Sequence, residues 1–177
     1  VMIVGETGTG KSVLIQGFLS RLPQQGSDGR PGFTNIQAAF SAQTAAKNMQ
    51  DLLESKLDKL RKNLLGAPPG RHNVIVVDDI NMPALEKYGA QPPIELVRQT
   101  LSQGGFYDLK KLSFKQINGV QLMGAMNPTA GSFFIIDRMQ RHFATLATLF
   151  PETEVLRTIY QSIFAGHLAN SFTPEVQ

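Results

Sequence analysis

Cysteine and tryptophan are both absent from the 177 residues. Without cysteine there is no disulfide scaffold and no zinc–thiolate site, which fits a reducing intracellular setting. Histidine is scarce: His72, His142 and His167 share no ligand spacing and give no metal signature. No stretch reaches the roughly 18 uninterrupted apolar residues of a membrane-spanning helix. The first residues also lack the charged segment, apolar stretch and cleavage site of a secretory signal. These absences leave nothing that directs the chain to a membrane or out of the cell. The charge excess is small as well, a net +3 with a pI near 9.3, and its positive residues are distributed along the chain, which argues against polynucleotide binding. The densest basic stretch, Lys56, Lys59, Arg61 and Lys62, alternates with Leu57, Leu60 and Leu64 at helical spacing and reads as a solvated helix face. What is present, 42% hydrophobic and 18% charged residues, suits one soluble globular domain with a single sizeable core.

Val1-Met2-Ile3-Val4 is a short apolar run leading into a glycine-rich turn, and so predicts a buried parallel strand. Val13, Leu14, Phe18 and Leu19 then supply a helix stripe that ends before Pro23, and a surface loop follows from Gln24 to Gly32. Ile36, Ala38 and Phe40 alternate as a second strand. Thr44 is placed to cap a long helix whose stripe runs Met49, Leu52, Leu53, Leu57, Leu60, Leu64, closed by the loop from Gly66 to Gly70. Val74-Ile75-Val76-Val77 is a β-branched run fit for a central parallel strand. Pro92-Pro93 opens a helix that Gly104-Gly105 ends. Val120 to Met126 and Ala144 to Phe150 predict two further strands, and Val155, Leu156, Ile159, Ile163 and Phe164 a last amphipathic helix. Strands alternating with helices indicate an α/β fold, a parallel sheet covered on both faces.

Gly5-Glu6-Thr7-Gly8-Thr9-Gly10-Lys11-Ser12 fits G-x-x-x-x-G-K-[ST] at every fixed position, between a strand and a helix, as a phosphate loop requires. The glycines let backbone N–H groups converge on phosphate at the positive end of the next helix. Lys11 is placed to reach the β- and γ-phosphates, and the Ser12 hydroxyl to ligate Mg²⁺. Asp78, at the carboxyl end of the apolar strand, is the second holder of Mg²⁺, because such strand ends open onto the ligand crevice. Asp79 has two readings, a general base that orients the attacking water or a carboxylate facing solvent. Asn127 ends a strand, where its amide either holds the water and senses the γ-phosphate or is the ordinary turn asparagine before Pro128. Of Arg138 and Arg141, near a helix end, Arg141 is the candidate for a guanidinium serving a phosphate in a neighbouring module; both are otherwise surface arginines. Ser55-Lys56-Leu57-Asp58 echoes the guanine-reading tetrapeptide of GTPases but lies within a predicted helix rather than after a strand, which disfavours GTP.

Over nearly its whole length the sequence resembles the AAA+ modules of dynein heavy chains, most closely the third module of the motor ring in axonemal dyneins. The resemblance is carried by Gly5 to Ser12, by Phe40-Ser41-Ala42-Gln43-Thr44, by Val77-Asp78-Asp79-Ile80-Asn81-Met82-Pro83 and by Tyr88-Gly89-Ala90-Gln91-Pro92-Pro93-Ile94-Glu95-Leu96. It continues in Gly105-Phe106-Tyr107-Asp108, Ala125-Met126-Asn127-Pro128 and Arg138 to Phe143. The Asn-Met-Pro segment followed by Tyr-Gly-x-Gln is far more selective than the phosphate loop alone. Met126-Asn127-Pro128-Thr129-Ala130-Gly131-Ser132-Phe133 is similar to outer-arm chains and Ala90-Gln91-Pro92-Pro93 to inner-arm ones, which leaves the arm open.

The resemblance implies a P-loop NTPase fold of the AAA+ large-subdomain type and one ATP-binding domain over residues 1–177, truncated at both ends. A region that helps form the adenine pocket would precede Val1, and a small helical lid, absent here, would follow the last helix. It further implies ATP or ADP with Mg²⁺ as ligands and a ring of six linked modules in one chain that works along microtubules of the cilium or flagellum axoneme. The partners implied are the neighbouring AAA+ modules, and dynein light and intermediate chains through the parent complex, with no direct microtubule contact by this segment. Where related AAA+ proteins usually carry glutamate, this chain has Asp79, one methylene shorter, so the expected role is a regulatory nucleotide site with slow hydrolysis. A non-hydrolysing structural nucleotide module and a non-motor AAA+ remodelling ATPase are the alternatives.

Overall fold

The computed structural model describes residues 1–27, 29–108, 110–129 and 135–171. Five strands form a fully parallel sheet in the order β2 (Gly32–Ala39), β5 (Arg71–Asp78), β8 (Val120–Met126), β1 (Met2–Val4), β9 (Thr145–Ala147). The helices are α1 (Lys11–Arg21), α2 (Ala46–Lys56), α3 (Pro92–Gln103), α4 (Asp137–Gln140) and α5 (Thr153–Ser171). None of them is long and apolar enough to cross a membrane.

The period of two along β5 determines which helix lies on which face. Val74 and Val76 point to one side, where they pack with Ile3, Met123 and Ala125 against Ile15 and Leu19 of α1. Ile75 and Val77 point to the other, into a larger cluster with Met49 and Leu53 of α2 and Ile94 and Val97 of α3. Val77, Ile94 and Phe106 are fully buried. Each such side chain contributes about 1.5–3 kcal/mol relative to exposure. The fold is thus the α/β P-loop type expected, with helices on both faces, and α3 begins at Pro92 and ends on a left-handed Gly104 as its sequence indicates.

Four expectations need correction. The long helix stops at Lys56, and Leu57 to Gly66 instead form a hairpin, β3 (Asp58–Arg61) and β4 (Leu64–Gly66). With β6 (Gly105–Tyr107) and β7 (Phe114–Asn118) the hairpin builds a second sheet, ordered β3-β4-β7-β6, which the sequence reading did not contain. The basic residues after Lys56 therefore lie on a hairpin rather than a helix. Thr44 is not the cap of α2, whose N-cap is Ala45; its hydroxyl instead accepts the Ser41 N–H at 2.8 Å, closing a turn before the helix. On α1 only Ile15 and Leu19 face the core, while Val13, Leu14 and Phe18 are exposed. The apolar residues of α5 are likewise exposed at Val155, Ile159, Ile163 and Phe164.

Candidate functional site

The parallel register aligns the strand ends. Val4 pairs with Met126 on one side and with Ala147 on the other, so the residues that follow, Gly5, Asn127 and Thr148, emerge side by side at the carboxyl edge of the sheet. Asp78 closes β5 one strand beyond β8. Four connections thus converge on the crevice where open α/β sheets hold ligands.

The loop from Gly5 to Ser12 crosses this edge. Gly10 sits at φ 81° as the N-cap of α1, a left-handed conformation that turns the chain into the helix at little cost only for glycine. The first N–H groups of α1 have no partner within the helix and face the loop, as at any helix start. Gly5 is required by close approach: a Cβ there would stand 2.1 Å from Thr148 Oγ1 and 2.6 Å from the Thr148 carbonyl oxygen. Thr148 in turn shares a hydroxyl contact with Thr9 at 3.1 Å, and Thr9 donates to the Glu6 carbonyl at 2.9 Å. The phosphate loop is therefore tied to the end of β9, a contact for which no local motif gave a signal.

Lys11 is buried, and its ammonium donates to the carbonyls of Gly5 at 2.9 Å and Glu6 at 2.7 Å, which holds it across the mouth of the loop. The Ser12 hydroxyl donates to Asp78 Oδ2 at 2.9 Å. A cavity of about 270 Å³ opens beside this pair, bounded by Gln16 and by Ala38 and Ala39 at the end of β2. Two hard oxygen donors brought together from a helix start and a strand end fit Mg²⁺, which takes few protein ligands and completes its shell with water and phosphate oxygens. No group of three or more His, Cys, Asp or Glu able to hold a metal occurs among the described residues, so a denser all-protein cage is absent there.

Asp79 departs from the strand with φ 50°, left-handed for a non-glycine residue, and its N–H donates to Asp78 Oδ1 at 3.0 Å. The turn separates the two neighbouring carboxylates: Asp78 meets Ser12, while Asp79 is exposed. Partial removal from water and then the Asp78 charge push the Asp79 carboxyl above its ordinary range, against a smaller opposing pull from Lys11.

Asn127 is buried, and its amide donates to Thr7 Oγ1 of the phosphate loop at 2.7 Å. Its side-chain oxygen accepts from the Thr129 N–H and hydroxyl at 3.0 and 2.9 Å. Asn81 donates to the Asn127 carbonyl at 2.9 Å, so the Asn-Met-Pro run buttresses the same strand end. The family-like segment at residues 130–133 lies outside the described residues. Arg138 on α4 and Arg141 at its C-cap are exposed and form no ion pair among the described residues; α4 packs against α3.

A family described as the P-loop containing dynein motor region matches residues 1–151 of the chain. The chain is 42% identical to dynein axonemal heavy chain 6 of Homo sapiens over 100% of its own length and 43% identical to dynein axonemal heavy chain 3 of Mus musculus over 97%. It is 40% identical to the dynein beta chain of the flagellar outer arm of Chlamydomonas reinhardtii over 96%. It spans only 4% of the length of each of these relatives.

Proposed function

This chain belongs to the family of P-loop containing dynein motor regions, and from that membership we propose that it is a Mg²⁺-ATP-binding AAA+ module of an axonemal dynein-like heavy chain. It serves there as a regulatory nucleotide site with slow hydrolysis, corresponding to the third module of the ring. Residues 1–177 form a single ATP-binding domain, which works against neighbouring AAA+ modules of the same chain and, through the parent complex, alongside light and intermediate chains in the axoneme. The axonemal, ciliary and flagellar names of its relatives support that location.

The single observation that carries the reading is the contact of Ser12 with Asp78 at 2.9 Å beside the loop that Lys11 spans. Mg²⁺ held by these two residues supplies charge neutralisation for the phosphates. Lys11, already within reach of the loop carbonyls, exchanges those neutral acceptors for phosphate oxygens, a stronger charge-assisted partner. Asn127 fixes Thr7 and so the shape of the loop. Asp79 is the base: its carboxylate accepts the proton of the attacking water. Arg141, exposed on the flank, is available to a phosphate bound by the adjoining module.

The test is equilibrium binding of a fluorescent ATP analogue to the full-length chain with its other nucleotide sites disabled, with and without Mg²⁺. Binding that requires Mg²⁺ and weakens in Ser12→Ala is expected. Binding indifferent to both would remove Ser12 and Asp78 from the metal. A second reading, a nucleotide kept as a structural ligand without turnover, is favoured by the exposed, shortened Asp79; intact binding with no hydrolysis would select it.

A further inference from the structure

The second sheet carries a feature that nucleotide binding does not use. Its two hairpin turns lie at one end. Leu64 of β4 pairs in parallel with Gln116 of β7, and the Gln116 N–H donates to the Asn63 carbonyl at 2.8 Å, so the Lys62-Asn63 turn sits level with the start of β7. The segment joining β6 to β7 leaves from that same end, because Tyr107 pairs with Phe114. With strands about 4.8 Å apart, Arg61 on one edge and Tyr107 on the other are separated by roughly 14 Å across the sheet.

The segments that build this sheet are basic. Residues 54–62 and 105–118 hold seven basic and three acidic side chains, an excess of four, against +3 for the whole chain. Two of the three acids share one partner inside the sheet, since Lys115 bridges Glu54 at 2.9 Å and Asp108 at 2.8 Å. Arg61, Lys62, Lys110 and Lys111 are exposed and join no ion pair among the described residues. A charged edge strand that resists pairing with other sheets would account for Lys59 and Arg61 on β3, but not for the lysines at the far edge.

An independent observation lies between those lysines and β7. Leu112 is 81% exposed and adopts φ 51°, a left-handed conformation uncommon for leucine. Asp108 enforces it: Oδ1 accepts the N–H groups of Lys110 at 2.8 Å and Lys111 at 3.0 Å, and the Asp108 carbonyl accepts the Leu112 N–H at 2.8 Å. Its other carboxylate oxygen is the one paired with Lys115, so the turn is anchored to the body of the sheet. A strained backbone that keeps a large apolar side chain in water, when asparagine or glycine would fit the same φ freely, points to a role for that side chain.

We propose that this end of the second sheet is a docking surface for an acidic protein segment bearing an apolar pocket or cleft, with Leu112 as the anchor, Lys110 and Lys111 as the cations beside it, and Arg61 and Lys62 of the other hairpin as a second cationic contact. The partner chemistry follows from the pattern. An apolar contact flanked by cations excludes water at the contact and sets the approach by charge around it. A polynucleotide would satisfy the cations but leave an aliphatic side chain without a flat base to stack on.

The experiment is lysine-reactivity footprinting of the full-length chain in its native complex, using an acetylating reagent, combined with zero-length carbodiimide crosslinking. Lys62, Lys110 and Lys111 are expected to react at least three-fold more slowly than the exposed Lys47, to regain reactivity as salt is raised, and to crosslink to carboxylates of one acidic protein segment. Lys110→Glu with Lys111→Glu should abolish the crosslinks from Lys62. Leu112→Asn, which suits the left-handed turn and so preserves the hairpin, should weaken protection of Lys62 while leaving hydrogen exchange of the β7 amides unchanged. Reactivity equal to Lys47 at every salt concentration would overturn the proposal. So would protection that survives charge reversal, or that is abolished by nuclease.

Discussion

Ser12 and Asp78 lie 66 positions apart in sequence, yet the serine hydroxyl rests 2.9 Å from the aspartate oxygen. One begins a helix and the other ends the central strand, so the contact exists only if the sheet is parallel and the phosphate loop crosses its carboxyl edge. Their meeting joins the two halves of the sequence pattern into one site, and the chemistry of nearby residues can be tested from it.

Lys11→Ala should weaken ATP binding by roughly 10- to 100-fold, because a hydrogen bond to a charged group contributes about 1.5–3 kcal/mol. The ammonium now satisfies the Gly5 and Glu6 carbonyls, and the loop opens to water when it is removed. Titration with labelled ATP in the presence of Mg²⁺ measures this. Equal affinities for the two proteins would exclude Lys11 from phosphate recognition.

Gly5→Ala should destabilise the fold by roughly 1–3 kcal/mol through overpacking. The new methyl meets both the hydroxyl and the carbonyl oxygen of Thr148, the latter 2.6 Å away on backbone that cannot rotate aside. Adding Thr148→Ala should therefore recover only part of the loss. Denaturant unfolding of the single and double variants checks the point, and full recovery would show that the side chain alone sets the limit.

Val74 to Val77 was legible because a β-branched run before two carboxylates has few other uses, and Pro92 and Gly104 marked their helix by backbone preferences alone. Leu57, Leu60 and Leu64 misled because helical spacing over a short stretch also suits a hairpin. In the fold Leu57 is buried as the C-cap of α2, Leu60 is 39% exposed on β3, and Lys62-Asn63 makes the turn, an asparagine signal outweighed by the leucine spacing. On α1 the apolar residues Val13, Leu14, Ile15, Phe18 and Leu19 fall in two adjacent groups rather than one stripe, so periodicity does not distinguish Ile15 and Leu19, which face the sheet, from Leu14 and Phe18, which border a cavity of about 370 Å³ with Val1, Ile3 and Leu146. Within the candidate site, the phosphate loop, Asp78 and Asn127 are legible from motif and strand end. Thr148 and the Asn81 contact depend on register between distant strands, which no local pattern encodes.

Phe106→Ala tests whether the second sheet is integral to the fold. Phe106 on β6 is fully buried in the cluster that contains Ile75, Ile94 and Met139, so its truncation should cost about 3–5 kcal/mol. A single cooperative transition shifted to lower denaturant is expected. An unchanged midpoint would mean that the second sheet is an appendage that does not support the core.

The ion pairs of Lys115 make a pH prediction. Hydrogen bonds to Lys115 and to the Lys111 and Lys110 amides hold the Asp108 carboxyl well below its usual 3.8, so its contribution is present above that value and is lost only as pH falls below it. Burial alone would depress the Lys115 ammonium, but its hydrogen bonds to Asp108 and Glu54 outweigh this and raise it above 10.5, so that contribution is complete below 10.5 and fades as pH rises further. Stability from this cluster should be level between about pH 5 and 10 and decline outside that window. Lys115→Met should lower stability across the plateau, make the acid decline shallower because Asp108 is then less depressed, and remove the alkaline limb; an unchanged pH profile of thermal unfolding would show that the pairs contribute nothing.

Asp79 offers the sharpest test of turnover. Its left-handed φ of 50° is tolerated by asparagine, so Asp79→Asn removes the charge with little change of backbone. Because Asp78 rather than Asp79 meets Ser12, nucleotide affinity should stay within about two-fold while single-turnover hydrolysis falls by roughly 10²- to 10⁴-fold, the range for loss of a general base. Asp79→Glu adds one methylene, about 1.5 Å of reach, and should raise the rate if distance to the water is the only defect. The measurement is single-turnover ATP hydrolysis in the full-length chain with its other nucleotide sites disabled. A rate indifferent to both substitutions would take Asp79 out of the chemistry and leave the nucleotide as a structural ligand.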